Sequence, residues 1–418
     1  MDDINILTYG LSTERNCKIL EETHRNCLHW AATHGAVFAP EKYEVIHLTR
    51  ARKKFNLKAT PILNGLRIDT KDHIRILGIQ VDSKLKWRPH LAQVKEKAAS
   101  LLLATGRITA STWGIGFNKA KLLYDTVITP AILYGSSIWY SPQGTSQATK
   151  TVDRQLDKIQ NSYLRQVTGA YKAAHGRLLE KESDTPPITT RLETLIAKAT
   201  RRYKQSIGGQ IASEEAAKIR ARYTMVTTRN HRPRTTPGQE KLRWLREKIP
   251  ENHWNRTEMD RTGHHDKLRP LTWKEALRLM STESWERRWE GYLRRIPEGR
   301  KSPAHRDTRK TRSQLHVTLS KATSALITQI RTEKIGLNAF LTQQHVPGYI
   351  ANCSCGWERQ TAKHILLYCP SFTRGREELF RDAGTNSYSQ MVVTTRGARA
   401  AAQFLQKTGL LPQFQLGL

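Results

Sequence analysis

Negative charge is what this sequence has least of. Against 69 Lys and Arg it sets only 37 Asp and Glu, a formal charge of +32 over 418 residues. A chain so unbalanced repels itself unless polyanions neutralise it, which puts nucleic acid first among its partners, an anionic membrane surface second and a ribosome-like assembly third. Long apolar runs are missing too. The most apolar stretch, "VITPAILYGSSIWY", is broken by Pro130 and Gly135 and is too short to span a bilayer. The first residues carry acids where a secretory leader has bases, so a secreted protein is not expected and a nuclear or cytoplasmic location is. Cysteine is sparse as well, five in the whole chain, which excludes a disulfide scaffold. Hydrophobic residues still make up 38% of the sequence, enough for real cores and too many for global disorder.

What is present divides into four regions. Residues 1–90 read as mixed α/β. Ile4 to Tyr9, "YEVIHLTR" and "IRILGIQVD" are expected as strands. Between the first two, "STERNCKILEETHRNCLHWAATHG" has Cys17, Leu20, His24, Cys27 and Ala31 on one helical face, a Ser12 or Thr13 cap and a Gly35 stop. Residues 91–200 turn helical: Leu91, Val94, Ala98 and Leu101 repeat with helical spacing, as do Val152, Leu156, Ile159, Tyr163 and Val167. Residues 201–312 are basic and turn-rich and read as a partly disordered connector. Within them Trp273, Leu277, Trp285, Trp289 and Leu293 suggest one amphipathic helix or a broken pair, its tryptophans serving core packing before base stacking. Residues 313–418 begin with a further helix over 313–335 and end in a cysteine-bearing module. The fold class expected is α+β, mostly helical.

Three of the five cysteines fall in "CSCGWERQTAKHILLYC". Cys353, Cys355, His364 and Cys369 make a C-x-C-x8-H-x4-C pattern, and three thiolates with one imidazole complete the closed tetrahedral shell of a structural Zn²⁺ site. Gly356 lets the chain curl after the second thiolate. The C-x-C step is tighter than the usual gap, and three buried core cysteines are the competing reading. A segment of about 345–385 has little core of its own, so metal is expected to order it. Arg359, Lys363, Arg374 and Arg376 flank the ligands and would turn charge toward phosphate.

Asp2-Asp3 is the second signal. Enzymes that transfer nucleotidyl groups hold two divalent ions between carboxylates, one activating the attacking hydroxyl and the other steadying the leaving group. Alone, the pair says little. Read together, "MDDINILTYG", "FAPEKYEVIHLTR", "ILGIQVDSKLKWRPHL", "ITPAILYGSSIWYSP" and "IQNSYLRQVTGAYK" resemble, in that order, the later part of the reverse transcriptase of non-LTR (LINE-like) retrotransposons, most closely fungal ones. The likeness runs on through "LSKATSALITQIRTEKIGLNAFL" to the cysteine module, which looks like the C-terminal zinc knuckle of these polyproteins.

The resemblance implies an RNA-directed DNA polymerase fold in part: a palm remnant over 1–90, a helical thumb over 91–200, the connector over 201–312 and a helical zinc-knuckle module over 313–418. It implies Asp2 and Asp3 as the catalytic hairpin's aspartates with Mg²⁺, and Lys42 as a general acid toward pyrophosphate. It also makes Leu77, Gly78 and Asp82 a primer grip. RNA and DNA are the implied partners, with other retroelement-encoded proteins beside them. Charge alone adds Arg201, Arg202, Lys204, Arg229, Arg232 and Arg234 as phosphate contacts. Fingers, the third metal-binding aspartate and RNase H acids are not found in the sequence, so a truncated, catalytically silent but nucleic-acid-binding chain is expected. The alternatives are a zinc-knuckle binding protein without enzymatic role and a transposon relic.

Overall fold

The structure, a computed structural model, describes residues 4–49, 54–110, 112–145, 150–226, 237–249, 271–309 and 311–414. It forms two compact units, Met1–Glu96 and Lys97–Leu418.

The first unit is built on the helix Thr13–His34. The Ser12 hydroxyl caps it by accepting from the Arg15 amide, and Gly35 ends it in the left-handed conformation at φ 66°. Cys17, His24 and Ala31 are buried along one face, as the spacing expects. His24 shares a 2.9 Å hydrogen bond with the Tyr43 hydroxyl. The Ile62 amide donates to the Glu21 carboxylate, tying the helix to a short hairpin of Ile62–Leu63 with Leu66–Arg67.

Strand content departs from expectation. Residues 4–10 form no strand, and Ile4, Leu7 and Tyr9 are exposed. A strand exists only through its partner's hydrogen bonds, and no partner for this segment is found among the described residues. "YEVIHLTR" contributes a single bridge, Val45 to Thr70. "IRILGIQVD" is two strands, not one: His73–Ile76 pairs antiparallel with Ile79–Asp82, and Leu77-Gly78 is the turn between them. Both turn residues have positive φ, 46° and 84°, as a two-residue turn of type I′ requires.

The second unit is helical. The helix Arg88–Gly106 carries the chain into it. Ile188–Gln205 is a hub, packed by Ser136–Trp139, Lys150–Thr168, Pro237–Lys248 and Trp273–Leu293. Pro130, which has no amide to donate, follows a π-helical turn at Tyr124–Ile128, where the Thr129 amide reaches back to the Tyr124 carbonyl. The tryptophan-bearing segment is one helix, Trp273–Leu293. Thr272 and Glu275 close a capping box at its start, and Leu277, Met280 and Trp289 are buried.

The last part, Leu315 to Phe414, shares one core that includes Leu326, Ile330, Leu366, Met391, Ala401 and Leu405. Its first helix is Lys321–Thr332, shorter than the sequence suggests. Thr318 sits at φ 62° and Ser320 caps the helix, so the chain from Ser313 to His316 forms a separate 3-10 turn.

Candidate metal centre and charged surfaces

Cys353 and Cys355 lie in a tight loop. The Gly356 amide donates to the Cys353 carbonyl, the Cys353 amide donates to the Trp357 carbonyl, and Gly356 turns the chain at φ 90°. His364 stands on the short helix Ala362–Leu367, whose start Thr361 caps by accepting the His364 amide. The Cys369 amide returns to the His364 carbonyl at 2.9 Å, which fixes the fourth side chain beside the third.

The ligand atoms of these four residues lie within 4.8 Å of one another. Cys353 Sγ and Cys369 Sγ are 3.8 Å apart. That is far beyond a disulfide, and it equals the edge of a tetrahedron with metal–sulfur bonds of about 2.3 Å, an edge of about 3.8 Å. Cys355 Sγ lies 3.3 Å from His364 Nε2. Burial, and then the nearby Arg376 charge, hold the His364 imidazole below its ordinary pKa and so neutral, as a metal ligand must be. Burial pushes the Cys369 thiol up. At Cys353 burial is outweighed by hydrogen bonds from the Cys355 amide and the neighbouring thiols, and the thiol is lowered.

Three supporting residues escape a reading of the spacing. The exposed Trp357 ring stacks on His364, centroids 5.5 Å apart and planes 10° off parallel. Buried Gln360 brings its amide to 4.0 Å from Cys353 Sγ and accepts from the Asn338 amide. Arg376, expected to face phosphate, donates instead to the Cys369 carbonyl and braces the loop. The one local hint was the W-x6-H spacing, which by itself fits many turns. Nor is the segment a small site without a core: Cys353, Ile365, Leu366 and Cys369 belong to the same core as Leu326 and Leu405.

The other sequence-derived residues fall in separate places. Lys42 is exposed in the 3-10 turn Pro40–Lys42. Leu77 and Gly78 form the hairpin turn. Asp82 accepts the amides of Lys84, Lys86 and Trp87 and so shapes the loop before the helix Arg88–Gly106. Arg201, Arg202 and Lys204 lie in the last turns of Ile188–Gln205, where Arg201 stands 4.7 Å over the Trp273 ring and the other two are exposed. Asp2, Asp3, Arg229, Arg232 and Arg234 lie outside the described residues. No described helix is long and apolar enough to cross a membrane.

Fold and site together define a mostly helical chain with a Cys3His cluster able to hold a metal such as zinc. In sequence it is similar to Pol polyproteins of type-1 retrotransposable elements R1, which are non-LTR retrotransposons. One, from Nasonia vitripennis, is 24% identical over 166 residues, 39% of this chain and 41% of the relative. Another, from Bradysia coprophila, is 29% identical over 92 residues, 22% of this chain and 9% of the relative. A third, also from Nasonia vitripennis, is 25% identical over 80 residues, 18% of this chain and 21% of the relative. The chain therefore matches less than half the length of each. No protein-family model matches it. No solved structure matches it either.

Proposed function

We propose that this chain is a reverse-transcriptase-related polypeptide of non-LTR retroelement descent whose activity is nucleic-acid binding, with one structural Zn²⁺ in its C-terminal core. The observation that carries the reading is the similarity to R1 Pol polyproteins. The charge of +32 supports it independently, because cations in that excess are drawn to phosphate. RNA and DNA are the proposed partners. The finer parts of the reading rest on motif resemblance: the fungal affinity, the palm and thumb assignments, the primer-grip role of Leu77, Gly78 and Asp82, and the catalytic roles of Asp2, Asp3 and Lys42 with Mg²⁺. The polypeptide 1–418 is expected not to extend a primer by itself. Extension that Asp2→Ala abolishes would reverse that part.

The binding reading is tested by titrating the full chain with single-stranded RNA and duplex DNA at rising salt. Affinity should fall steeply, and tight binding that ignores salt would defeat the electrostatic account. The zinc reading is tested on the same chain by metal analysis and by cobalt substitution, which reports thiolate ligation in its spectrum. One equivalent of metal is expected. Cys369→Ser should lose it, while Cys17→Ser, on the helix Thr13–His34, should keep it. Equal retention by both would return the cluster to three core cysteines and a histidine.

A further inference from the structure

The loop between the helices Arg88–Gly106 and Phe117–Leu123 lies far in sequence from the cysteine cluster. It folds back on itself. The Ala110 amide donates to the Trp113 carbonyl and the Ile115 amide to the Ile108 carbonyl, with Thr109 bridged to Gly114. Gly114 makes the turn at φ 96°, and a Cβ there would fall 2.2 Å from the Ile108 carbonyl oxygen, so only glycine fits. This tight return lifts Trp113 into solvent at 57% exposure. An exposed tryptophan on a loop braced by main-chain hydrogen bonds is placed to meet something else.

Beside it lies a groove of about 770 Å³ lined by Arg107, Trp113, Asn118, Lys119, His316 and Leu319, among others, and no carboxylate is among its described lining residues. Arg107 and Lys119 are exposed at its rim. His316 is buried, stacked on Phe117 with centroids 4.3 Å apart, and its Nδ1 is engaged with the Ser324 hydroxyl. Among the described residues its Nε2 has no hydrogen-bond partner. A buried imidazole nitrogen left unsatisfied beside a groove is a feature that a ligand's polar edge would relieve.

We propose that this groove is a site for an unpaired nucleotide of single-stranded nucleic acid, the base stacking on Trp113 and the flanking phosphates meeting Arg107 and Lys119. The chemistry fits the parts. An indole face accepts any base, the cations match phosphate, and the volume suits one or two nucleotides but not a duplex. Double-stranded nucleic acid keeps its bases stacked on each other and cannot offer a free face without unpairing. The inference rests on the reading that the chain binds nucleic acid and adds where an unpaired base goes.

The test titrates the full chain, wild type and variants, with a single-stranded 12-mer and a duplex of the same length. Trp113→Ala should weaken the single strand roughly tenfold and leave the duplex within about twofold. Its salt dependence should be unchanged, because no charge is lost, whereas Arg107→Gln with Lys119→Gln should shallow it. Trp113→Phe, which keeps an aromatic face, should restore most of the affinity. A Trp113→Ala chain that binds the single strand like wild type, or loses both ligands equally, would overturn the site while leaving nucleic-acid binding standing. Wild-type protein that binds neither ligand would end both.

Discussion

Arg331 is the most telling single residue. It is fully buried on the helix Lys321–Thr332, and its guanidinium meets both oxygens of buried Glu182 at 2.7 Å, Asp307 at 2.7 Å and the Val392 carbonyl at 2.6 Å. Arg312 and Arg309 complete the cluster. Charges taken out of water gain little over apolar packing when paired, but removing one partner strands the other. Arg331→Met should therefore cost about 3–5 kcal/mol in urea unfolding of the second unit, and adding Glu182→Leu should recover much of it. A loss under about 1 kcal/mol would mean that water reaches the cluster. The same residues set the acid response. Burial raises the Asp307 carboxyl, but hydrogen bonds from Arg309 and the Arg331 charge outweigh it and hold the group well below 3.8, so its contribution is present above that value and lost as pH falls further. His316 behaves differently: burial, chiefly, lowers it to about 4 from 6.5. The unfolded chain then takes up the proton first, so stability is complete above 6.5 and declines as pH falls toward 4. His305, lowered to about 4 by burial and the Arg312 charge, adds to the decline. His316→Asn should flatten the drop in unfolding midpoint between these values by up to about 1.4 kcal/mol per pH unit. An unchanged slope would show that the imidazole is not protected from protons.

At the scale of elements, the turn Leu77-Gly78 offers a stabilising change. A leucine at φ 46° carries a steric cost that asparagine tolerates better. Leu77→Asn should raise the unfolding midpoint of the first unit by an amount worth about 0.5–1 kcal/mol, and a lowered midpoint would mean that the exposed leucine makes contacts that matter. The same turn explains what the sequence concealed. Helices were legible because caps and periodicity are local: Ser12, Gly35 and the apolar face of Thr13–His34 can be read one residue at a time. The hairpin was not, since Leu-Gly lacks the usual Asn or Asp signal and its apolar flanks read as a single run. The metal cluster was legible as spacing, yet its core was not. Cys353 and Cys369 are buried in one core with Leu326, Met391 and Leu405, separated from them by tens of residues. Arg331 gave no signal at all, because a lone arginine in a helix is most often solvated.

For the whole molecule the governing quantity is charge, and its effect depends on where the cations stand. Each phosphate contact releases counterion, so the slope of log affinity against log salt counts contacts, about 0.7 per neutralised phosphate on a single strand. Arg202 and Lys204 are exposed at the end of Ile188–Gln205, where a phosphate backbone can meet them. Arg201 differs, since its guanidinium lies over the Trp273 ring and helps hold Trp273–Leu293 to that helix. Arg202→Gln with Lys204→Gln should thus shallow the single-strand slope by roughly 1.4. Arg201→Gln should lower the midpoint by about 0.5–1 kcal/mol, the worth of an exposed cation–π contact, and change the slope less than either neighbour. If both variants moved the slope by the same amount per charge removed with no effect on stability, Arg201 would be a phosphate ligand like the others and its contact with Trp273 incidental. If neither moved it, the excess cations would be spread so evenly that no helix end concentrates them, and binding would follow the net +32 of the chain rather than any surface of it.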